Sequence, residues 1–281
     1  MKIKRIAIIG TGLIGGSLGK AVLEKNIADQ VIGVCRRQVS LTAAVKSGSL
    51  TTGYVNDYEE ALKGVDIIVI ATPVHAIKKI LKNLADVLND SKIIVTDVGS
   101  TKEEIVKYAA QFKDSFSFVG AHPLAGSEKK GVEYANSHLF ENSVCIVTPT
   151  NETSEEAYGK VKNLWEKIGA KIITLEPKAH DENLAFSSHL PHIVAYALVA
   201  ALGEEFSKDM VATGFKDTTR IASSDPELWK DIFMSNNHNV IIAIKRFKEI
   251  LSDLEKDIIE GRAEELEKKL KKIKGMRDEL I

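Results

Sequence analysis

The sequence predicts an α/β fold in which a doubly wound, largely parallel sheet precedes an all-helical domain. Short apolar, β-branched runs alternate with helix-like stretches over the first 175 residues, which is the pattern of buried parallel strands covered by helices on both faces. A glycine-rich turn directly follows the first of these runs. After about residue 176 the strand pattern stops. We therefore divide the chain into a sheet domain, residues 1–175, and a helical domain, residues 176–281.

Seven strands are predicted from runs rich in Val and Ile. In chain order they are IKRIAIIG, QVIGVC, VDIIVIATP, KIIVTDV, FSFVGA, SVCIVTP and AKIITL. Helix-like stretches lie between most of them, for example residues 13–25 and 154–168. These elements make up the sheet domain.

The second half is predicted to be helical throughout. We expect a helix over residues 180–206, a glycine-containing break at 213–216, and a helix that begins at Asp225 and runs to about residue 260. Asp225 suits the N-cap and Pro226 the first helical position. A last, highly charged helix follows. It carries an apolar stripe made of Leu266, Leu270, Ile273 and Leu280.

The composition is that of an ordinary soluble protein. Of 281 residues, 44% are hydrophobic and 27% charged, and the net charge is −1 with both signs interspersed, so no nucleic-acid or basic membrane surface is expected. The chain enters a strand at once, which leaves no signal peptide, and its longest apolar run is half of a bilayer crossing. We expect a cytoplasmic protein whose two cysteines, Cys35 and Cys145, are buried free thiols.

The turn GTGLIGGS has the spacing of a dinucleotide-binding loop. Gly10 permits the tight turn, Gly12 lets the backbone approach a pyrophosphate, and Gly15 lets the helix pack close to the sheet. Leu13 and Ile14 complete the loop at the opening of the helix. Because the loop follows a strand and opens a helix, the sequence predicts a Rossmann domain. The alternative is a glycine turn with a structural role only.

The residues at the end of the second strand indicate which dinucleotide is preferred. A site for NAD usually offers a carboxylate there, whereas this chain has Cys35 followed by Arg36 and Arg37. Arginines at that edge attract and fork onto a 2′-phosphate. The cofactor is predicted to be NAD(P), with NADP favoured. The alternative is two solvated arginines and a site that still accepts NAD.

Polar side chains follow the next strands at the edge where ligands bind in such sheets. Thr72 and Pro73 follow one strand, and Asp97 and Ser100 the next. His122 follows the third, and a neutral histidine there suits the removal of a proton from a substrate hydroxyl. We expect Ser100 to hold the imidazole in the required tautomer, and Thr72, Pro73 and Asp97 to contact the cofactor. A capping or core histidine is the alternative for His122.

The helical half adds further candidates. His189 and His192 in SSHLPH lie three apart on one helix face, but no third ligand is evident, so no metal site is predicted. Arg220 lies among small residues before a long helix and is expected to bind a substrate carboxylate. An internal salt bridge is the alternative. Its partner would be Asp217, Asp225 or Glu128.

Together these segments resemble the prephenate and arogenate dehydrogenase family of tyrosine biosynthesis. The resemblance rests on GTGLIGGS, TDVGSTK, AHPLAGSE, HDENLAFSSHLPH and DTTRIASSDPELW, in order across nearly the whole chain. It implies an active site between the Rossmann domain and a dimerising helical domain. Within that site His122 is the implied catalytic base, oriented by Ser100. The implied substrate-binding set is Arg220, His192, Ser127, Glu128, His180 and His189, of which Ser127, Glu128 and His180 are expected to close or gate the pocket. For Ser127 and Glu128, helix N-capping is the alternative.

The implied reaction is the NAD(P)-dependent oxidative decarboxylation of prephenate to 4-hydroxyphenylpyruvate. The second histidine of SHLPH, His192, favours prephenate over arogenate, which remains the alternative substrate. A β-hydroxyacid dehydrogenase would rely on a catalytic lysine instead, and a non-catalytic NADP-binding regulator would not need His122, Ser100 and Arg220 together. We expect a homodimer through the C-terminal helices. Because the chain starts at the first strand and ends in a helix, neither a fused chorismate mutase nor a regulatory ACT domain is expected.

Overall fold

A computed structural model describes residues 3–90, 92–126, 129–203 and 206–280. Its first domain is one eight-stranded sheet with the strand order 3-2-1-4-5-6-7-8. The strands are β1 (Ile3–Ile9), β2 (Ala28–Cys35), β3 (Thr52–Val55), β4 (Ile67–Ile70), β5 (Ile94–Asp97), β6 (Ser117–Pro123), β7 (Val144–Thr148) and β8 (Lys171–Thr174). The α/β fold class is confirmed. All seven predicted strands are present.

Helices cover both faces of the sheet. They are α1 (Leu13–Glu24), α2 (Gln38–Lys46), α3 (Tyr58–Ala61), α4 (Val74–Val87), α5 (Glu103–Ala109) and α6 (Glu155–Lys167). One buried cluster joins residues of α1, α2 and α6 to one face, and a second joins residues of α3, α4 and α5 to the other. This two-faced core is what the continuous apolar character of the strands requires.

Two features of the sheet were not predicted. The edge strand β3 is only four residues long, TGYV, and partly exposed, so it lacks the apolar run by which the other strands are recognised. In addition, β7 runs antiparallel to β6, with His122 opposite Ile146. The six strands that run in the sheet from β3 to β6 are all parallel. Their carboxyl ends therefore meet at one edge.

The helical half contains α7 (Pro177–Leu184), a π-helical turn (Ala185–His189), α8 (Leu190–Ala201), α9 (Thr213–Thr219), α10 (Pro226–Ser235), α11 (Asn237–Ile259) and α12 (Ala263–Leu280). The predicted cap is confirmed, since the Asp225 carboxylate accepts the Glu227 N–H at 3.1 Å. The expected break at 213–216 is wrong because α9 begins there. Gly214 falls in its first turn, where backbone N–H groups have no helical partner in any case.

The run Pro177–Ala201 joins the two halves. It contains an 18-residue window with a mean hydropathy of 1.4, which by length and composition alone is apolar enough to cross a membrane, as the core helix of a soluble protein can also be. Its polar residues His180 and Asp181 are buried. Asp181 accepts the backbone N–H groups of Lys102 and Glu103 at 2.8 and 3.0 Å. The run therefore attaches the helical half to the loop that follows β5.

Candidate active site

The glycine loop has the close contacts that its spacing predicts. Gly10 has φ +96°, and a Cβ there would lie 2.5 Å from the carbonyl oxygen of Ala71. A Cβ on Gly15 would lie 2.0 Å from the carbonyl oxygen of Gly10. Helix α1 begins at Leu13 with no side-chain cap from Gly12. Its first N–H groups are therefore available to an anion.

The residues around this loop fit a dinucleotide. A Cβ built on Gly12 meets nothing within 4 Å, so the backbone is open to close approach on that side. After β4, the Thr72 hydroxyl oxygen is buried with no hydrogen-bond partner in the described part of the chain. Pro73 directly precedes α4 and is exposed. Leu13 and Ile14 are half-buried at the start of α1.

At the end of β2, no carboxylate stands where ribose hydroxyls would be bound. The buried Cys35 Sγ lies 3.2 Å from the Thr11 hydroxyl, and burial raises the pKa of the Cys35 thiol. Arg36 and Arg37 follow it with exposed side chains. This end of the sheet is thus neutral at β2 and positive just beyond it.

His122 is a buried titratable group at the same edge of the sheet. It lies near the end of β6 and is 9% exposed. Its Nδ1 lies 2.8 Å from Nε2 of His180, and Nδ1 of His180 lies 2.7 Å from Oδ1 of Asp181. Burial, and then the charges of His180, Lys102 and His189, hold the pKa of His122 well below its ordinary value. The imidazole is therefore neutral near pH 7 and able to accept a proton.

The surroundings of this histidine bear on two expectations. Ser100 lies half-buried in the loop after β5, the described partner of His122 Nδ1 is His180, and the expected role of Ser100 stays a prediction. His180 has no exposed surface, so its position does not fit a gate. The physical reason is the packing of α7 over the end of β6, which the sequence pattern does not reveal.

Asp97 does not fit its expected role as a cofactor ligand. It is fully buried and forms an ion pair with Lys102, which is also fully buried. Its oxygens accept the N–H groups of Gly99 at 2.8 Å and Ala121 at 3.3 Å. Both oxygens are therefore occupied by protein donors, and Asp97 joins the ends of β5 and β6.

His192 and Arg220 lie on neighbouring elements of the helical domain. The His192 ring stacks on Trp229 with centroids 3.4 Å apart and an interplanar angle of 22°, and its Nδ1 is buried without a partner among the described residues. Burial lowers the pKa of His192 to about 4, opposed by a backbone hydrogen bond with Ile221 and aided by the charge of Arg220. Arg220 itself is exposed at the start of a short 3-10 turn.

One of the internal salt-bridge partners considered for Arg220 is already paired with another residue. Asp225, one candidate partner, instead pairs with Lys130 at 2.5 Å. Glu128 and Ser127 lie outside the described residues, so their expected roles stay predictions. That Arg220 and His122 belong to one site also stays a prediction.

His189 is more deeply placed than expected for a substrate ligand. It is 1% exposed, and its Nδ1 accepts the Asn236 amide at 3.2 Å. Burial lowers the pKa of His189 to about 4. In the described part of the chain, no group of three or more His, Cys, Asp or Glu side chains is arranged to hold a metal ion.

Four residues of this region were missed by reasoning from the sequence. They are Lys102, Asp181, Trp229 and Asn236. Lys102, Asp181 and Trp229 lie inside segments that carried the resemblance, Asn236 follows the last of these segments by seven residues, and Asp181 directly follows His180. The only signal was this proximity in sequence, because nothing in a local pattern marks a buried lysine or a stacking tryptophan.

The glycine loop and the buried neutral histidine, at one edge of a doubly wound sheet, define a nicotinamide-dependent oxidoreductase. Matches to two family models identify the family within this class. The model described as prephenate dehydrogenase, nucleotide-binding domain, matches residues 18–174, and the one described as prephenate dehydrogenase, dimerization domain, matches residues 176–272. The chain belongs to the prephenate dehydrogenase family.

Individual relatives agree with this assignment. A prephenate dehydrogenase of Bacillus subtilis is 36% identical over 89% of this chain and 68% of its own length. A crystal structure of prephenate dehydrogenase from A. aeolicus, in complex with hydroxyphenyl propionate and NAD+, has a TM-score of 0.92 at 34% identity, covering 100% of this chain and 99% of that one. Synechocystis arogenate dehydrogenase has a TM-score of 0.87 at 31% identity, covering 99% and 100%.

Proposed function

We propose that this protein is a cytoplasmic, NAD(P)-dependent dehydrogenase that converts prephenate to 4-hydroxyphenylpyruvate and carbon dioxide in tyrosine biosynthesis. The observation that carries the proposal is the buried, neutral His122 on the same sheet edge as the glycine loop. Three strand spacings separate β1 from β6, which amounts to about 14 Å. An extended dinucleotide bound at the loop reaches the region of the histidine over such a span.

The nicotinamide, when bound, supplies the acceptor for the hydride that leaves the hydroxyl-bearing ring carbon. His122 takes the hydroxyl proton as that carbon becomes a ketone. The electrons of the bond to the ring carboxylate then move through the ring to the ketone oxygen as carbon dioxide departs. That oxygen takes back the proton held by His122, which gives the aromatic hydroxyl of the product. A neutral imidazole is required for the proton transfer, and the lowered pKa of His122 supplies it near pH 7.

Arg220 and His192 are proposed to bind the rest of the substrate. The exposed Arg220 guanidinium suits bidentate binding of a carboxylate, and His192, fixed against Trp229, is proposed to lie near the substrate side chain. Ser127 and Glu128 are retained as residues that close the pocket. Arogenate is the second candidate substrate, since an arogenate dehydrogenase is matched about as closely as the prephenate enzymes.

The proposal includes a preference for NADP. It is supported by Cys35 at the position where a carboxylate would bind ribose hydroxyls, and by the exposed Arg36 and Arg37 beyond it. A 2′-phosphate there would meet positive charge and no repelling carboxylate from the end of β2.

The test is a four-way kinetic comparison of prephenate and arogenate with NAD and NADP, followed by the absorbance of the reduced nicotinamide. We expect turnover with prephenate, and a His122→Asn variant whose kcat is lower by about 10²–10⁴-fold, the usual contribution of a positioned base. His138→Asn removes an exposed histidine and is the matched control. Absence of turnover with both substrates, or full activity of His122→Asn, contradicts the proposal.

The proposed assembly is a homodimer formed through the helical domain. The family model for this region is a dimerization domain, and no residue of α12 is buried within a single chain. Ile258 and Ile259 at the end of α11 are 66% and 76% exposed. We expect Ile259→Lys to shift the sedimentation coefficient toward the monomer, whereas Val39→Lys, at an exposed apolar site on α2, leaves it unchanged. An Ile259→Lys protein that sediments like the parent chain contradicts this interface.

A further inference from the structure

The catalytic histidine candidate is the first member of a buried chain of three side chains. His122 contacts His180, and His180 contacts Asp181, at 2.8 and 2.7 Å respectively. His180 and Asp181 are 0% and 1% exposed. Neither side chain is open to solvent, so an effect of either on the reaction is exerted through His122 rather than by contact with a substrate.

The position of Asp181 is set from several sides. Its carboxylate accepts the N–H groups of Lys102 and Glu103 at 2.8 and 3.0 Å, in addition to Nδ1 of His180. Its backbone carbonyl accepts the Asn236 amide at 2.8 Å. The two backbone N–H donors show that this carboxylate acts as an acceptor, so His180 carries its proton on Nδ1.

The proton positions of the chain follow from that assignment. A neutral His180 with a proton on Nδ1 offers a lone pair on Nε2. His122 must then donate its own Nδ1–H to His180, which leaves Nε2 of His122 unprotonated. The opposite tautomer of His122 would place two acceptors against each other at Nδ1 and would occupy the nitrogen that has to accept the substrate proton.

We propose that His180 and Asp181 are positioning residues that hold His122 in the tautomer with a free Nε2. The pair also stabilises the cation formed on proton transfer, because the His122 imidazolium donates from Nδ1 to His180, and Asp181 lies on the far side of that ring. No covalent bond changes in this step. One proton leaves the substrate hydroxyl and is bound at Nε2 of His122. The kinetic consequence rests on the proposed function, whereas the tautomer itself does not.

The first test reads the tautomers without substrate. The side-chain nitrogens of labelled histidine are recorded by NMR at neutral pH in the parent protein, with His122→Asn and His180→Gln used for assignment. We expect both rings to carry their proton on Nδ1. A His122 ring protonated on Nε2, or a rapid mixture of the two forms, overturns the proposal whatever the protein's substrate is.

The second test compares two substitutions of one side chain. His180→Phe keeps an aromatic ring and removes the acceptor, whereas His180→Gln can present a carbonyl oxygen near the former Nε2. We expect kcat to fall by about 10²-fold or more in His180→Phe, to be largely rescued in His180→Gln, and KM to change little in both. His138→Phe, an exposed site, is the control.

Folding and cofactor binding of each variant are verified by circular dichroism and by fluorescence titration with the dinucleotide. A folded His180→Phe protein with nearly the parent kcat refutes the positioning role, as does a His180→Gln protein that is equally impaired. If His180→Phe does not fold, the NMR result and the His180→Gln kinetics still decide the question. An inactive parent protein with the expected tautomers refutes the proposed function alone.

Discussion

The ion pair between Lys102 and Asp97 gives the sharpest prediction about stability. Both side chains have no exposed surface, and the Lys102 ammonium also donates to the Ala121 carbonyl at 2.9 Å. The perturbation is Lys102→Met, which keeps an unbranched chain and removes the charge. Asp97 is then a buried carboxylate without its counter-ion.

Removing one partner of a buried ion pair typically costs about 3–5 kcal/mol, because the remaining charge is left uncompensated. Asp97 keeps two donors, the N–H groups of Gly99 and Ala121. We therefore expect a loss at the lower end, about 3 kcal/mol, which is a large part of the usual 5–15 kcal/mol of a domain. The double variant Asp97→Asn/Lys102→Met buries no charge and keeps an acceptor for Gly99. We expect it to lose about 1 kcal/mol.

The assay is urea unfolding followed by circular dichroism, with all variants at one protein concentration because an oligomer's stability depends on concentration. Both single variants and the double variant form a cycle whose coupling energy isolates the pair. A Lys102→Met protein that loses less than about 1 kcal/mol, or a double variant that loses the sum of the singles, would refute the reasoning.

Three further results are expected. The pKa values of His189 and His192 are lowered from 6.5 to about 4 in the folded protein. Between these two pH values the unfolded chain therefore binds more protons than the folded one. The free energy of unfolding should be highest above about pH 6.5 and should decline as the pH falls toward 4. A melting-temperature series over pH should show this decline, with a smaller slope in His189→Gln/His192→Asn, and an equal slope counts against it. Gly15→Ala should abolish dinucleotide binding in a fluorescence titration, since its Cβ would meet a carbonyl oxygen at 2.0 Å, whereas Gly159→Ala, with nothing within 4 Å, should bind normally; binding by both would refute the loop geometry. Arg36→Ala should lower kcat/KM for NADP relative to NAD, and an unchanged ratio would contradict contact with a 2′-phosphate.

Local signals in the sequence were sufficient for most of the elements. The Gly10–Gly15 turn, the Asp225 cap and seven strands depend on backbone sterics, capping and apolar runs within a few residues. The edge strand β3 was missed because it is short and partly exposed. The break expected at 213–216 was wrong because a glycine near a helix start is tolerated, and the interruption lies between α8 and α9 instead.

The candidate site was predicted unevenly. His122 was recognised from its place after a predicted strand, and it lies at the expected edge of the sheet. The roles assumed for His180 and Asp97 were inferred from their segments, and the structure buries both side chains among protein partners. The hydrogen bond between His122 and His180 joins residues 58 apart in sequence, and no periodicity encodes such a contact.

The sequence by itself therefore determined which segments become strands and helices, where the dinucleotide loop lies, and which edge of the sheet carries the histidine. These properties follow from side-chain periodicity and from the backbone freedom of single residues, both of which act over short distances along the chain. Only the tertiary structure decided which groups surround that histidine and where its proton resides. Those relations arise when α7 packs over the end of β6, because burial and hydrogen-bond partners depend on distance in space rather than on separation in sequence.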